Sequence, residues 1–167
     1  MSTRAGTVAL IGRPNVGKST LVNRIVDAPV AIVTHKPQTT RHRILGIHTD
    51  HRGQAVFVDT PGLHNRRDHA LNRRLNRIAA ESSQGVDVLA LVLDASHQNE
   101  EDELALAQVA RHEGPHLLII NKIDLLKDRA ALLELTQEWT SRAEFDAVVY
   151  VSALRNDGIE DVLSEVF

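Results

Sequence analysis

Gly12-Arg13-Pro14-Asn15-Val16-Gly17-Lys18-Ser19 decides the fold of this chain. The octapeptide fits the pattern G-x-x-x-x-G-K-[ST], whose glycines let the backbone curl until successive N–H groups point at phosphate oxygens. It lies between an apolar, β-prone run over residues 5–11 and a segment over 18–26 with Leu21, Val22 and Ile25 on one helical face. Strand, glycine-bearing turn and helix are the context the pattern needs, and the helix N-terminus adds the positive end of its dipole. Lys18 should place its ammonium between the β- and γ-phosphates of a nucleotide, and Ser19 should offer its hydroxyl to Mg²⁺. The loop residues and the following Thr20 are therefore candidates for binding the cofactor.

Outward from the loop, strand-like and helix-like segments alternate. Residues 43–49 and 54–58 read as strands, and Asp50-His51-Arg52-Gly53 between them predicts an antiparallel hairpin. Leu71, Leu75 and Ile78 stand at helical spacing, and Gly85 ends that helix. Residues 86–93 are almost continuously apolar, as in a strand buried on both faces. A helix over 101–111, a strand over 117–120, a helix over 129–139 and a short strand over 148–151 follow. Ile159, Val162, Leu163 and Val166 then stripe a final helix. The alternation predicts an α/β sandwich: a six-stranded, mostly parallel sheet with one antiparallel strand and helices on both faces.

Composition narrows the class. The 167 residues are 43% hydrophobic and 25% charged, too apolar for a disordered chain and about one domain long. There is no cysteine, which excludes disulfides and thiolate–zinc sites. The nine histidines show no metal-binding spacing on a helix and read as surface. The net charge of −3 hides an asymmetry. Residues 36–77 hold nine Lys/Arg against three Asp/Glu, whereas residues 94–167 hold six against sixteen. The basic segment includes Arg73, Arg74 and Arg77, opposite the Leu71–Leu75–Ile78 stripe, a face suited either to a polyanion or simply to solvent. Aromatic residues make up only 3% of the chain, which argues against a base-stacking platform.

The phosphate loop leaves base and reaction open, since kinases, ATPases and GTPases share it. Asn121-Lys122-Ile123-Asp124, directly after the strand over 117–120, decides the base. A carboxylate only accepts, so Asp124 can take both N1–H and N2–H of guanine, donors that adenine lacks there. Asn121 can bridge loops and meet the purine edge, and the stem of Lys122 can lie across the ring. Asp59-Thr60-Pro61-Gly62 ends the strand over 54–58. It places Asp59 to hold Mg²⁺ and the Gly62 amide to sense the γ-phosphate. Ser152-Ala153-Leu154 follows the last strand, where a backbone N–H can meet guanine O6. Thr39 or Thr40, with Thr40 preferred, should complete the Mg²⁺ shell when GTP is bound. The predicted catalytic set is Lys18, Thr40, Gly62 and Asn15, and the predicted metal ligands are Ser19, Thr40 and Asp59.

Residues 12–21, Pro37-Gln38-Thr39-Thr40-Arg41-His42-Arg43-Ile44 and Phe57-Val58-Asp59-Thr60-Pro61-Gly62-Leu63-His64 together resemble the Era family of bacterial GTPases, within the translation-factor-type class. The resemblance covers essentially residues 1–167 as a GTPase domain and implies the Ras-like phosphate-loop GTPase fold. It implies GTP hydrolysis to GDP with Mg²⁺, a role in small-subunit (30S) ribosome assembly and contact with 16S rRNA. DNA is not among the implied partners. A cytoplasmic location, with peripheral attachment at the inner face of the cell membrane, is implied as well. Era-like proteins carry a KH RNA-binding domain after this one, and residues 1–167 include none. Asn15 stands where similar GTPases use an asparagine to help bind K⁺ beside the phosphates; the motif does not separate that role from loop shaping. Leu63 stands where many GTPases carry a water-orienting glutamine, and leucine has no hydrogen-bonding group. Slow intrinsic turnover follows. Two other readings share these residues: a GTP-gated binding module with negligible hydrolysis, and the GTPase domain of a related tRNA-modification or ribosome-assembly protein.

Overall fold

Alternation along the apolar runs builds two cores from one sheet. The computed structural model describes residues 4–26, 43–59 and 85–167. In β1 (Arg4–Ile11) Val8 and Leu10 join one buried cluster, while Ala9 and Ile11 join the other. In β4 (Val88–Asp94) Ala90 and Val92 part from Leu89, Leu91 and Leu93 in the same way. β5 (His116–Asn121) repeats the division, with Leu117 and Ile119 on one side and Leu118 and Ile120 on the other. A strand whose side chains are apolar on both faces is stable only in the middle of a three-layer sandwich.

The six strands run in the order β2-β3-β1-β4-β5-β6. β2 (Arg43–Asp50) pairs antiparallel with β3 (Gly53–Asp59), and β1, β3, β4, β5 and β6 (Ala147–Tyr150) are parallel. The expected hairpin forms where predicted. Asp50 accepts from the Arg52 backbone N–H at 2.7 Å, closing the turn. Gly53 has φ +154°, and a Cβ there would stand 2.3 Å from the Arg4 carbonyl oxygen, so the edge pairing requires glycine.

Of the described helices, α1 (Lys18–Ile25) and α4 (Ile159–Val166) cover one face. They are seated by Leu21, Val22, Ile25, Ile159, Val162 and Leu163. α2 (Glu100–Val109) and α3 (Arg129–Thr140) cover the other with Ala105, Leu106, Val109, Leu135 and Trp139. Burying each large apolar side chain contributes about 1.5–3 kcal/mol. The ends of α2 differ from the sequence reading by a residue or two, and its start is fixed by a capping box. The Asn99 side chain accepts from Glu101 N–H at 2.8 Å, and Asp102 returns the bond to Asn99 N–H at 2.9 Å. The 3₁₀ turn Ile123–Leu125 has no counterpart in the sequence reading. The helix expected at Leu71, Leu75 and Ile78 lies outside the described residues, as does the basic face opposite it.

Because the strands are parallel, their carboxyl ends share one edge. Ile11, Asp59, Asp94, Asn121 and Tyr150 all finish there, with Asp94 in register with Asn121 and Leu10 with Asp59. Ligands of open α/β sheets lie at this edge.

Candidate nucleotide-binding site

The turn from β1 into α1 is held open by its backbone. Gly12 and Gly17 have φ of +154° and +102°, and Asn15 sits in the left-handed region at +66°. A Cβ on Gly17 would come within 2.3 Å of the Asn121 amide nitrogen, so the loop cannot pack against β5 with any larger residue there. A cleft of about 460 Å³ opens above the loop, lined by Pro14, Asn15, Gly17, Lys18, Ser19, Thr20, Asp59 and Lys122. It brings together residues from β1–α1, the end of β3 and the end of β5.

Lys18 folds its ammonium onto the loop, donating to the Gly12 carbonyl at 2.6 Å and the Arg13 carbonyl at 3.2 Å. Burial pushes its pKa down; Asp59 and Asp102 pull it back up, and Arg13 pushes it further down. A partly desolvated cation held by loop carbonyl dipoles is well prepared to receive an anion. Ser19 and Asp59 offer a hydroxyl and a carboxylate on the same cleft, a hard-oxygen pair that suits Mg²⁺ completed by waters and phosphates. Among the described residues, no cluster of three or more His, Cys, Asp or Glu could hold a metal unaided.

Arg13 belongs to the loop, but its side chain turns away from the cleft. Nε donates to Asp102 at 3.1 Å and a terminal nitrogen donates to the His97 carbonyl at 2.7 Å, with Asp94 at 3.8 Å. Arg13 and Asp102 are both buried. The guanidinium is thus committed to α2 and the turn before it, while the residue 13 carbonyl accepts from Lys18. Removing one member of such a pair leaves a buried charge uncompensated, at a cost of about 3–5 kcal/mol.

On the base side, Asn121 does bridge two loops. Its amide nitrogen donates to the Val16 carbonyl at 2.8 Å, and its amide oxygen accepts from Ala153 N–H at 3.0 Å. Lys122, at φ +65°, donates to the Asn15 carbonyl at 2.7 Å and to Asp94 at 2.6 Å. Burial raises the Asp94 carboxyl, but the bonds from Lys122 and Ser96 outweigh it, so the group sits below its ordinary value. Asp124 accepts from Ser152 Oγ at 2.6 Å and from Arg155 Nε at 3.4 Å. The Ser152 bond is the larger cause holding its carboxyl below the usual range, and Arg155 adds to it. Ala153 is buried and Leu154 is exposed beside it.

Thr39, Thr40, Thr60, Pro61, Gly62 and Leu63 lie outside the described residues. The sequence reading passed over Asp94, Asp102, Arg24 and Arg155. Asp94 ends a strand at the ligand-bearing edge, a signal available in the apolar run before it. Arg13 and Asp102 are 89 residues apart, and no local pattern connects them.

Residues 7–122 match the family described as 50S ribosome-binding GTPase. The chain belongs to this GTPase family. Within it, the chain is 50% identical to GTPase Era of Xanthomonas oryzae pv. oryzae over 163 residues, 98% of this chain and 54% of that protein. Era in complex with MgGDPNP and a 16S ribosomal RNA fragment superimposes with a TM-score of 0.78. It is 30% identical, and the match covers 99% of this chain and 56% of that one. A variant of Aquifex aeolicus Era bound to GDP and AlF₄⁻ gives a TM-score of 0.77 at 30% identity, over 98% of this chain and 56% of that one. The resemblance to the Era family and the Ras-like phosphate-loop GTPase fold expected from the sequence therefore both hold. The chain spans about half the length of the curated relatives it matches. Among the described residues, no helix is long and apolar enough to cross a membrane.

Proposed function

We propose that the chain binds guanine nucleotide in the cleft at the carboxyl edge of the sheet and hydrolyses GTP to GDP and phosphate with Mg²⁺. The observation that carries this reading is the meeting of the phosphate-loop residues Lys18 and Ser19 with Asp59 and Lys122 around one cleft. Lys18 exchanges its loop carbonyls for the β- and γ-phosphates, whose negative charge restores its pKa. Ser19, Asp59 and Thr40 are the residues that would hold Mg²⁺, which when bound neutralises charge on the phosphates. Asp124, oriented by Ser152, accepts N1–H and N2–H of guanine. Asn121 and the Ser152-Ala153-Leu154 turn close the base pocket, and the Lys122 stem covers the ring. The Gly62 amide senses the γ-phosphate.

With Leu63 after Gly62, catalysis rests on positioning and charge neutralisation, so intrinsic turnover is slow. Leu63→Ala should cost far less turnover than Lys18→Ala; an equal collapse would overturn that assignment. Asn15 stands at the rim of the cleft, and a role beside K⁺ is tested by turnover in KCl against NaCl at equal ionic strength. No difference removes the ion. Labelled GDP should be displaced by GTP and GDP but not by ATP at similar concentration, and phosphate release should stop when Mg²⁺ is chelated. Equal displacement by ATP would sink the guanine assignment.

For the whole protein, we infer a switch in small-subunit assembly. Residues 35–45 and 60–75 respond to the γ-phosphate, a KH domain following residue 167 holds RNA, and 16S rRNA is the partner. The relatives named Era and the Era complex with a 16S rRNA fragment support this. The basic character of residues 36–77 agrees with a polyanionic partner. A cytoplasmic location with peripheral membrane attachment belongs to the same reading. Cross-linking of the full-length protein to 16S rRNA in the GTP state but not the GDP state is the expected outcome.

A further inference from the structure

α1 does more than present Lys18 and Ser19 at its first turn. About one and a half turns further along, Arg24 reaches across to the turn after β6. Its Nε donates to the Ala153 carbonyl at 3.0 Å and a terminal nitrogen donates to the Leu154 carbonyl at 3.0 Å. The two bonds span 129 and 130 residues of sequence, so no local structure supplies them. Arg24 is an exposed residue on a helix whose buried face is Leu21, Val22 and Ile25, so packing does not dictate its orientation. The carbonyls it holds belong to the turn whose Ala153 N–H goes to Asn121 and whose Ser152 hydroxyl goes to Asp124. A planar guanidinium meets two adjacent carbonyls with both bonds in fixed directions, whereas a lysine ammonium fixes neither.

We propose that Arg24 is a positioning residue for base recognition: it clamps the Ala153–Leu154 turn, which keeps Ser152 aimed at Asp124, and so sets guanine selectivity. The proposal rests on the nucleotide reading above and deepens it. Because the clamp springs from the helix that begins at the phosphate loop, the phosphate and base contacts share one rigid element.

The test uses the 167-residue chain and two ligands, GDP and inosine diphosphate, which lacks the 2-amino group that Asp124 would accept. Arg24→Ala should raise the GDP Kd about tenfold and the inosine diphosphate Kd about threefold, so selectivity shrinks about threefold. The melting temperature should change little, since the side chain is exposed. Arg24→Lys should behave like the alanine variant, because charge without the two-point geometry does not hold the turn. Restored selectivity in Arg24→Lys would show that charge alone suffices and would overturn the clamp. Equal weakening of both ligands, or no weakening of either, would overturn it too. If the unaltered chain binds neither ligand, the nucleotide reading itself fails, a result distinct from these.

Discussion

The phosphate end of the cleft is fastened by buried charges and the base end by hydrogen bonds onto backbone. Arg13 meets Asp102 at 3.1 Å, and the acid has no exposure. Around the base turn, Asn121 spans the Val16 carbonyl and the Ala153 N–H, while Arg24 grips the two following carbonyls. The difference matters because of what each fastening leaves behind when broken. A severed buried ion pair strands a charge, at about 3–5 kcal/mol, whereas a lost hydrogen bond costs about 0.5–1.5 kcal/mol. Damage at the phosphate end should therefore appear as lost stability. Damage at the base end should appear as lost selectivity in a chain that still folds.

The largest effect should come from Lys18→Ala, which removes the cation proposed to meet the phosphates. GDP affinity should fall by on the order of 100-fold or more, measured by displacement of a fluorescent nucleotide. Next is Arg13→Gln, expected to lower unfolding free energy by about 3–5 kcal/mol in urea titration. A loss under 1 kcal/mol would erase the contrast between the two ends. Asp124→Asn should cost on the order of 100-fold in GDP affinity with the melting curve almost unmoved, because among the described residues the side chains that pair with the acid are Ser152 and the exposed Arg155. Ser152→Ala should cost about tenfold in GDP affinity, at least as much as Arg24→Ala, since it deletes the bond to Asp124 that the clamp aligns.

The smallest effect is a predicted constancy. The Asp124 carboxyl is held below its ordinary value, so the ionised form persists as pH falls and is lost only on passing that lowered value. Selectivity for GDP over inosine diphosphate should thus be the same at about pH 5 as at about pH 7, both above the ordinary carboxylate range. A drop between those points would mean that the Asp124 carboxyl lies above its ordinary value, against the direction set by the Ser152 bond.

The phosphate loop, the alternation of strands and helices and the hairpin at Asp50–Gly53 were legible because each is written in adjacent residues. Gly12 and Gly17 announce a curled backbone, and Leu89, Leu91 and Leu93 beside Ala90 and Val92 announce a strand with two buried faces. The bridging role of Asn121 could be anticipated because its strand ends on the ligand edge. The fastenings could not. Arg13–Asp102, Lys122–Asp94 and Arg24–Ala153 each join residues that are distant along the chain, 89, 28 and 129 positions apart. They become neighbours only after the sheet forms. The direction of the Arg13 side chain is the instructive case: its place in the loop suggests a phosphate ligand, and the buried acid on α2 claims it instead.

On the proposed function, one cleft takes guanine and not adenine nucleotides. Competition against labelled GDP tests it most directly. Unlabelled GDP and GTP should displace the label at comparable concentrations, while ATP should leave it bound even at about a thousandfold higher concentration. Displacement by ATP in the same concentration range as GTP would contradict it.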